Sequence, residues 1–219
     1  MHTLYNVATG PLVWITFIVF VGGGLYRVAS FIFLARKKEK FIFSFLSLTY
    51  SLRSIVHWFT PFASLVMRKN PLMTLVAFVF HICLLMVPIF LFSHIILWDE
   101  AWHVNWWYLP DAAADIMTLA VIGSCIFFLA RRLLLPQVNY VTTVSDYVLL
   151  SIVAAPFVTG YAAFHQWPGY EWILIAHVLS GEIMLMAIPF TRLVHMIFSV
   201  LTRAYIGSEF GNVRHARDW

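Results

Sequence analysis

The sequence predicts an all-α, polytopic membrane protein, and three observations carry that prediction. The chain has 219 residues, of which 62% are hydrophobic and only 11% charged, and its mean hydropathy is +0.84. Its apolar residues fall in long runs of the ~20 that a helix needs to cross a bilayer, not in the short alternating segments of a transmembrane barrel. Its basic residues fall between those runs in an order that follows one side of a membrane. The net charge of +4 therefore reflects sidedness, not nucleic-acid binding. Cys83 and Cys125 lie inside apolar runs and belong to no CxxC or CxxCH arrangement. That spacing argues against a zinc site, an iron–sulfur cluster or a covalently attached c-type haem.

Five spans in one domain, residues 1–219, are expected. The first covers 11–34. No Lys or Arg precedes Arg27, and RKKEK follows at Arg36–Lys40, so this is a retained helix with its N-terminus outside, not a signal peptide. Gly22, Gly23 and Gly24 allow close helix contact there, and Arg27 either snorkels to the surface or meets a buried anionic group. Residues 41–67 are apolar but broken by Arg53, His57 and Pro61, with basic clusters on both sides. They read as an interfacial helix on the cytoplasmic face, with His57 at its surface. The second span, 72–98, holds His81, Pro88 and His94. The loop after it, WDEAWHVNWWYLPD, is an aromatic belt at the outer interface, and His103 within it reads as an interface or partner contact.

The third span, 112–130, is closed by Arg131 and Arg132, and LLPQVNYVTT forms an inner turn. The fourth, 145–164, contains Pro156 and Gly160. FHQWPGYEW, with His165, turns the chain at the outer side, and the fifth span, 173–200, returns it to a polar tail running from Arg203 to Trp219. Twelve of the fourteen Lys and Arg then fall on the inner side, and the outer loops hold none. The positive-inside rule thus gives five helices with the N-terminus outside and the C-terminus inside.

His177 and His195 lie eighteen residues apart on the fifth span. On a continuous helix that is a whole number of turns, which places both rings on one stripe, roughly 27 Å apart. Ionisable and polar groups at membrane depth are costly and usually functional. In the antiparallel second span His81 is level with His195, and His94 with His177. Two cross-helix pairs at two depths are the geometry of a four-helix core holding two bis-histidine haems b, an electron path with no open iron position. The thirteen residues between His81 and His94 leave them ~140° out of phase on an ideal helix, and Pro88 lies between them to kink it. The bland alternative is four histidines satisfied by hydrogen bonds between helices. Arg192 suits a haem propionate, or else snorkels to the surface. Glu182 is either a proton acceptor for a quinol or a protonated carboxyl bonded to a neighbour.

Several stretches carry a resemblance to a known family. PFTRLVH (Pro189–His195) with His177 upstream, RRLLLPQVNYVTTVSDYVLL (Arg131–Leu150) and FHI (Phe80–Ile82) resemble the gamma subunit of respiratory nitrate reductase. The likeness covers roughly 72–198 and extends more loosely to LYR (Leu25–Arg27). FHICLLMVPIFLFSHIILW (Phe80–Trp98) and DYVLLSIVAAPFVTGYAAFHQ (Asp146–Gln166) are more similar still to the cytochrome b subunits of the Hmc and Tmc redox complexes of sulfate-reducing bacteria. The resemblance implies a diheme cytochrome b, with His81 and His195 on the inner haem iron and His94 and His177 on the outer. It further implies electron transfer between a periplasmic multihaem cytochrome c or the quinone pool (menaquinone) and a cytoplasmic iron–sulfur subunit of the heterodisulfide-reductase-like kind. Other integral membrane subunits and lipid complete the expected partners. Such a chain is an electron-transfer subunit with no complete active site of its own. The family's quinol-site lysine falls near Ile116 here, so that site is not carried over, and the His81–His94 spacing is a few residues longer. The alternative is a haem-free membrane anchor that only docks redox subunits. A transporter is disfavoured, because the spans lack paired broken helices and an inverted repeat.

Overall fold

A computed structural model of the chain describes residues 2–218; Trp219, the end of the polar tail, lies outside the described residues. In chain order the main helices are α1 (His2–Lys38), α2 (Leu48–Phe59), α3 (Pro71–Phe90), α4 (Phe92–Trp102), α5 (Asp111–Leu134), α6 (Val144–Phe164), α7 (Tyr170–Ala187) and α8 (His195–Ser208). No strand occurs among the described residues. Five helices are long and apolar enough to cross a membrane: α1, α3, α5, α6, and α7 together with the turn that carries it to Phe190. The chain is a multi-pass, all-helical membrane protein. Its described residues pack as two compact units, one of Leu75–Gly181 with residues 2–5, the other of Asn6–Thr74 with residues 182–218.

Two of the expected spans are not single helices. The run 173–200 stops being α-helical at Ala187, passes through 3₁₀ turns at Ile188–Phe190 and Arg192–Val194, and resumes at His195. Thr191 between the turns is extended (φ −122°, ψ −174°). Pro189 cannot donate to the helix ladder, and the chain breaks beside it. The whole-turn arithmetic linking His177 to His195 therefore fails, because it assumed one unbroken helix. The membrane-length segment ends at Phe190, not 200. The run 72–98 is likewise divided at Leu91, which is extended (φ −72°, ψ 128°).

The break at Leu91 exposes carbonyls that a bilayer interior cannot hydrate, and the following loop satisfies them. The Ile89 carbonyl accepts from Trp106 Nε1 at 2.9 Å, and the Phe90 carbonyl from the Leu109 amide at 2.9 Å. Phe90 stacks on Trp107 with ring centroids 4.2 Å apart, and Phe92 lies against Tyr108 at 4.8 Å. The aromatic loop thus caps a broken helix as well as supplying a belt. In the same unit α5 packs directly on α6. Their connection is held by Asn139 donating to the Arg132 carbonyl at 3.1 Å and by a capping box between Thr143 and Asp146. Arg132 lies 3.5 Å from the Asp146 carboxylate.

In the other unit α2 packs against α8. The seam is made of small residues. Ser51 donates to the Ala204 carbonyl at 2.9 Å, and its hydroxyl meets that of Ser208, also at 2.9 Å. Ser208 Oγ in turn accepts from the Ser47 amide at 3.1 Å. Small polar residues let backbones approach closely, as they do between membrane helices. The segment expected to lie on the interface is thus anchored at α2 by the last helix. On α1, a Cβ at Gly23 would meet Pro189 at 2.9 Å, whereas Gly22 has nothing within 4 Å.

Two outcomes follow for this unit. A Cβ at Gly207 would overlap Ser54 and lie 2.6 Å from the Tyr50 carbonyl. Gly207→Ala should therefore destabilise by about 1–3 kcal/mol through overpacking, while Gly22→Ala stays neutral or better in a thermal melt. Burial pushes the His57 imidazole below its usual 6.5, outweighing the pull of the Asp218 carboxylate. Folding then favours the neutral ring, so this contribution is intact above pH 6.5 and shrinks as pH falls below it. An NMR titration should find the His57 midpoint under 6.5.

Candidate functional site

His94 and His177 come together. Their ring centroids are 6.0 Å apart and their planes are 12° from parallel. His94 lies on the first turn of α4, just after the break at Leu91, and His177 lies mid-way along α7. His94 Nδ1 donates to the Pro88 carbonyl at 2.9 Å. His177 Nδ1 donates to the Pro156 carbonyl, also at 2.9 Å. A carbonyl can only accept, so each Nδ1 carries a proton, and in the neutral form of the ring that leaves the lone pair at Nε2. Metal-bound histidines are held in just this way, with the second nitrogen donating to a backbone carbonyl that fixes tautomer and orientation.

The local sequence explains both placements. Leu91 is extended, and α4 begins again with the His94 and Ile95 amides donating to the Leu91 carbonyl at 3.0 and 3.1 Å. That restart lets His94 reach back six residues to Pro88. It also removes the phase objection, since His81 and His94 stand on separate helices. On α6, Pro156 and Gly160 are four residues apart and share one face. A Cβ at Gly160 would lie 2.8 Å from His177 Cε1, so this position must stay bare for the ring to reach Pro156. Ser180 Oγ donates to the His177 carbonyl at 2.9 Å and meets Thr159 Oγ1 at 3.3 Å. In the sequence Pro156 and Gly160 stand out only as helix features. Their four-residue spacing was the available signal.

The other two candidate ligands show the same bond. His81 Nδ1 donates to the Ala77 carbonyl at 2.7 Å, and His195 Nδ1 to the Arg192 carbonyl at 2.8 Å. They belong to different units, and both rings are exposed, as is Arg192. The Arg192 carbonyl orients the His195 ring. Glu182 is buried, and neither of its carboxyl oxygens has a hydrogen-bond partner. His165, in the outer turn, pairs with Asp115 at 3.1 Å beside the Tyr161 ring, 4.4 Å away. It ties the end of α6 to the start of α5.

The donor set decides what the His94–His177 pair can hold. Among the described residues no group of three or more His, Cys, Asp or Glu side chains could hold a metal ion. A haem iron needs only two protein ligands, and two metal–imidazole bonds of about 2 Å each plus the half-widths of the rings come to roughly 6 Å. The observed centroid separation fits that sum.

A curated protein of Nitratidesulfovibrio vulgaris (strain Hildenborough), described only as a protein, is 32% identical over 211 residues, which cover 94% of this chain and 93% of that one. The chain belongs to that protein's family. The similarity runs almost end to end, so it takes in all five membrane-length helices and not merely their shared hydrophobicity. No family model matches the sequence, and no solved structure matches it.

The crowding at Gly160 yields a test within one unit. Gly160→Ala should displace the His177 ring from Pro156 and destabilise by about 1–3 kcal/mol. Gly123→Ala on α5, where a Cβ meets nothing within 4 Å, should be neutral or stabilising by up to about 1 kcal/mol. Equal melting temperatures for the two variants would contradict the packing described.

Proposed function

We propose that this chain is a diheme cytochrome b subunit of a membrane-bound respiratory redox complex in the bacterial inner membrane. The observation that carries the reading is the His94–His177 pair, near-parallel and 6.0 Å apart, with both Nδ1 atoms committed to proline carbonyls. A neutral imidazole whose proton is held at Nδ1 offers one nitrogen only, and two such rings at this separation suit a bis-histidine iron. The second haem is assigned to His81 and His195, each with the same Nδ1–carbonyl bond. Arg192 follows the break that precedes α8 and is the residue assigned to a propionate, a bidentate acceptor suited to a guanidinium.

With His94 and His177 holding one iron and His81 and His195 the other, the group would supply one-electron transfer and not oxygen chemistry. The chain's own residues do the rest. Pro88 and Pro156 fix the tautomers, Gly160 admits the ring, and the aromatic loop seals the broken helix next to His94. On this reading the N-terminus is periplasmic and the C-terminus cytoplasmic. Electrons pass between a periplasmic cytochrome c or a menaquinone pool and a cytoplasmic iron–sulfur subunit, alongside other integral membrane subunits.

Single replacements test the assignment. His94→Ala and His177→Ala should each lower the haem content from two per chain to one and erase the same spectral component. His81→Ala and His195→Ala should erase the other. A full haem complement in either His94→Ala or His177→Ala would sink the proposal.

A further inference from the structure

The tail after α8 folds back over α2 and forms with it a basic, half-open hollow away from the histidine pair. Its volume is ≈ 260 Å³, and its walls are Tyr50 and Arg53 of α2 with Gly211, His215, Ala216 and Arg217 of the tail. Three of these six residues are cationic or can become so, and none is acidic. The acids close by are engaged elsewhere. Asp218 bonds to Arg203 at 2.5 Å and to the Ser54 hydroxyl, and Glu209 is paired with Arg214.

The cavity is built rather than incidental. The Arg53 guanidinium lies 5.0 Å over the Tyr50 ring, which holds it against the wall. A Cβ at Gly211 would run into that ring, so only glycine lets the tail close on Tyr50. The tail is pinned at one end by Asn212 donating to the Phe45 carbonyl at 3.0 Å, and at the other by Asp218. Between them the Arg214 and Ala216 amides donate to the carbonyls of Glu209 and Phe210 at 3.1 and 2.9 Å. His215 stands in the left-handed region at φ 50°, and the turn it makes brings both His215 and Arg217 to the cavity.

A second, open hollow of ≈ 420 Å³ shares Arg53 with the first. It is lined by Leu52, Arg53, Val56, His57 and Thr60 on the outward side of α2. Leu52 and Val56 are exposed there. A basic hollow and an apolar one on either side of one arginine have the polarity of a phospholipid, phosphate first and acyl chain after. α2 is amphipathic, with RKKEK before it and Arg68 and Lys69 after it, which suits a helix lying at an anionic membrane surface.

We propose that this cavity binds the phosphate of an anionic phospholipid, with an acyl chain along Leu52 and Val56. Arg53 and Arg217 are the phosphate ligands, and Tyr50 and His215 complete the wall. The lipid would tie the tail to α2 and hold the inner end of α8 at the membrane surface. The site is independent of any haem.

Native mass spectrometry of the full purified chain tests it, using phosphatidylglycerol and phosphatidylethanolamine of matched acyl chains, with inorganic phosphate as competitor. Phosphatidylglycerol adducts should exceed phosphatidylethanolamine adducts, and the double variant Arg53→Gln/Arg217→Gln should lower them roughly tenfold. In the unaltered chain, phosphatidylglycerol alone should slow amide hydrogen exchange in residues 211–217. Equal adducts with both lipids, or unchanged exchange in that segment, would overturn the proposal. Protection by inorganic phosphate but not by lipid would also overturn it, and would assign the cavity to a free anion.

Discussion

An imidazole set at membrane depth must find a protein acceptor for its N–H, and most of the chain's irregular features follow from that constraint. Water is not available there, so every donor and carbonyl needs a protein partner. His94 and His177 meet the requirement by giving Nδ1 to a proline carbonyl. Each bond in turn demands something of the backbone. For His94 it demands a broken helix, so that a side chain can reach back to Pro88. For His177 it demands a bare position at Gly160 on the helix that carries Pro156.

The broken helix creates a further debt of exposed carbonyls, which the loop between α4 and α5 settles through Trp106 and Leu109. Sequence features that look unrelated, a mid-span proline, a tryptophan-rich loop and a glycine two helices away, thereby serve one geometry. The far end of the chain is organised by a different rule. There, serines and glycines bring α2 and α8 into contact, and the folded tail adds charge to the face that the helices leave open.

The five membrane-length helices were legible in the sequence because long apolar runs admit few other structures in a bilayer. That His94 and His177 come together was legible too, from two histidines near the facing ends of two apolar runs. The helix breaks were harder to read. Pro88 announced a kink, but the chain gives way three residues later, at Leu91, where freed carbonyls can be met by the loop. Pro189 lies in the middle of an apolar run, and hydropathy averages over it. The eighteen-residue phase argument therefore failed at His195, since periodicity survives only while the helix does. The Nδ1 acceptors were not legible at all, because a carbonyl looks the same at every residue until the fold exposes it.

The central claim is that His94 and His177 face each other across a haem iron. Its most direct test is a reduced-minus-oxidised absorption spectrum of the purified chain, with haem counted as the pyridine adduct. The account predicts the α-band of low-spin b-type haem and two haems per chain. A folded, helical chain with no haem absorption would contradict it, and the paired histidines would then be packing alone.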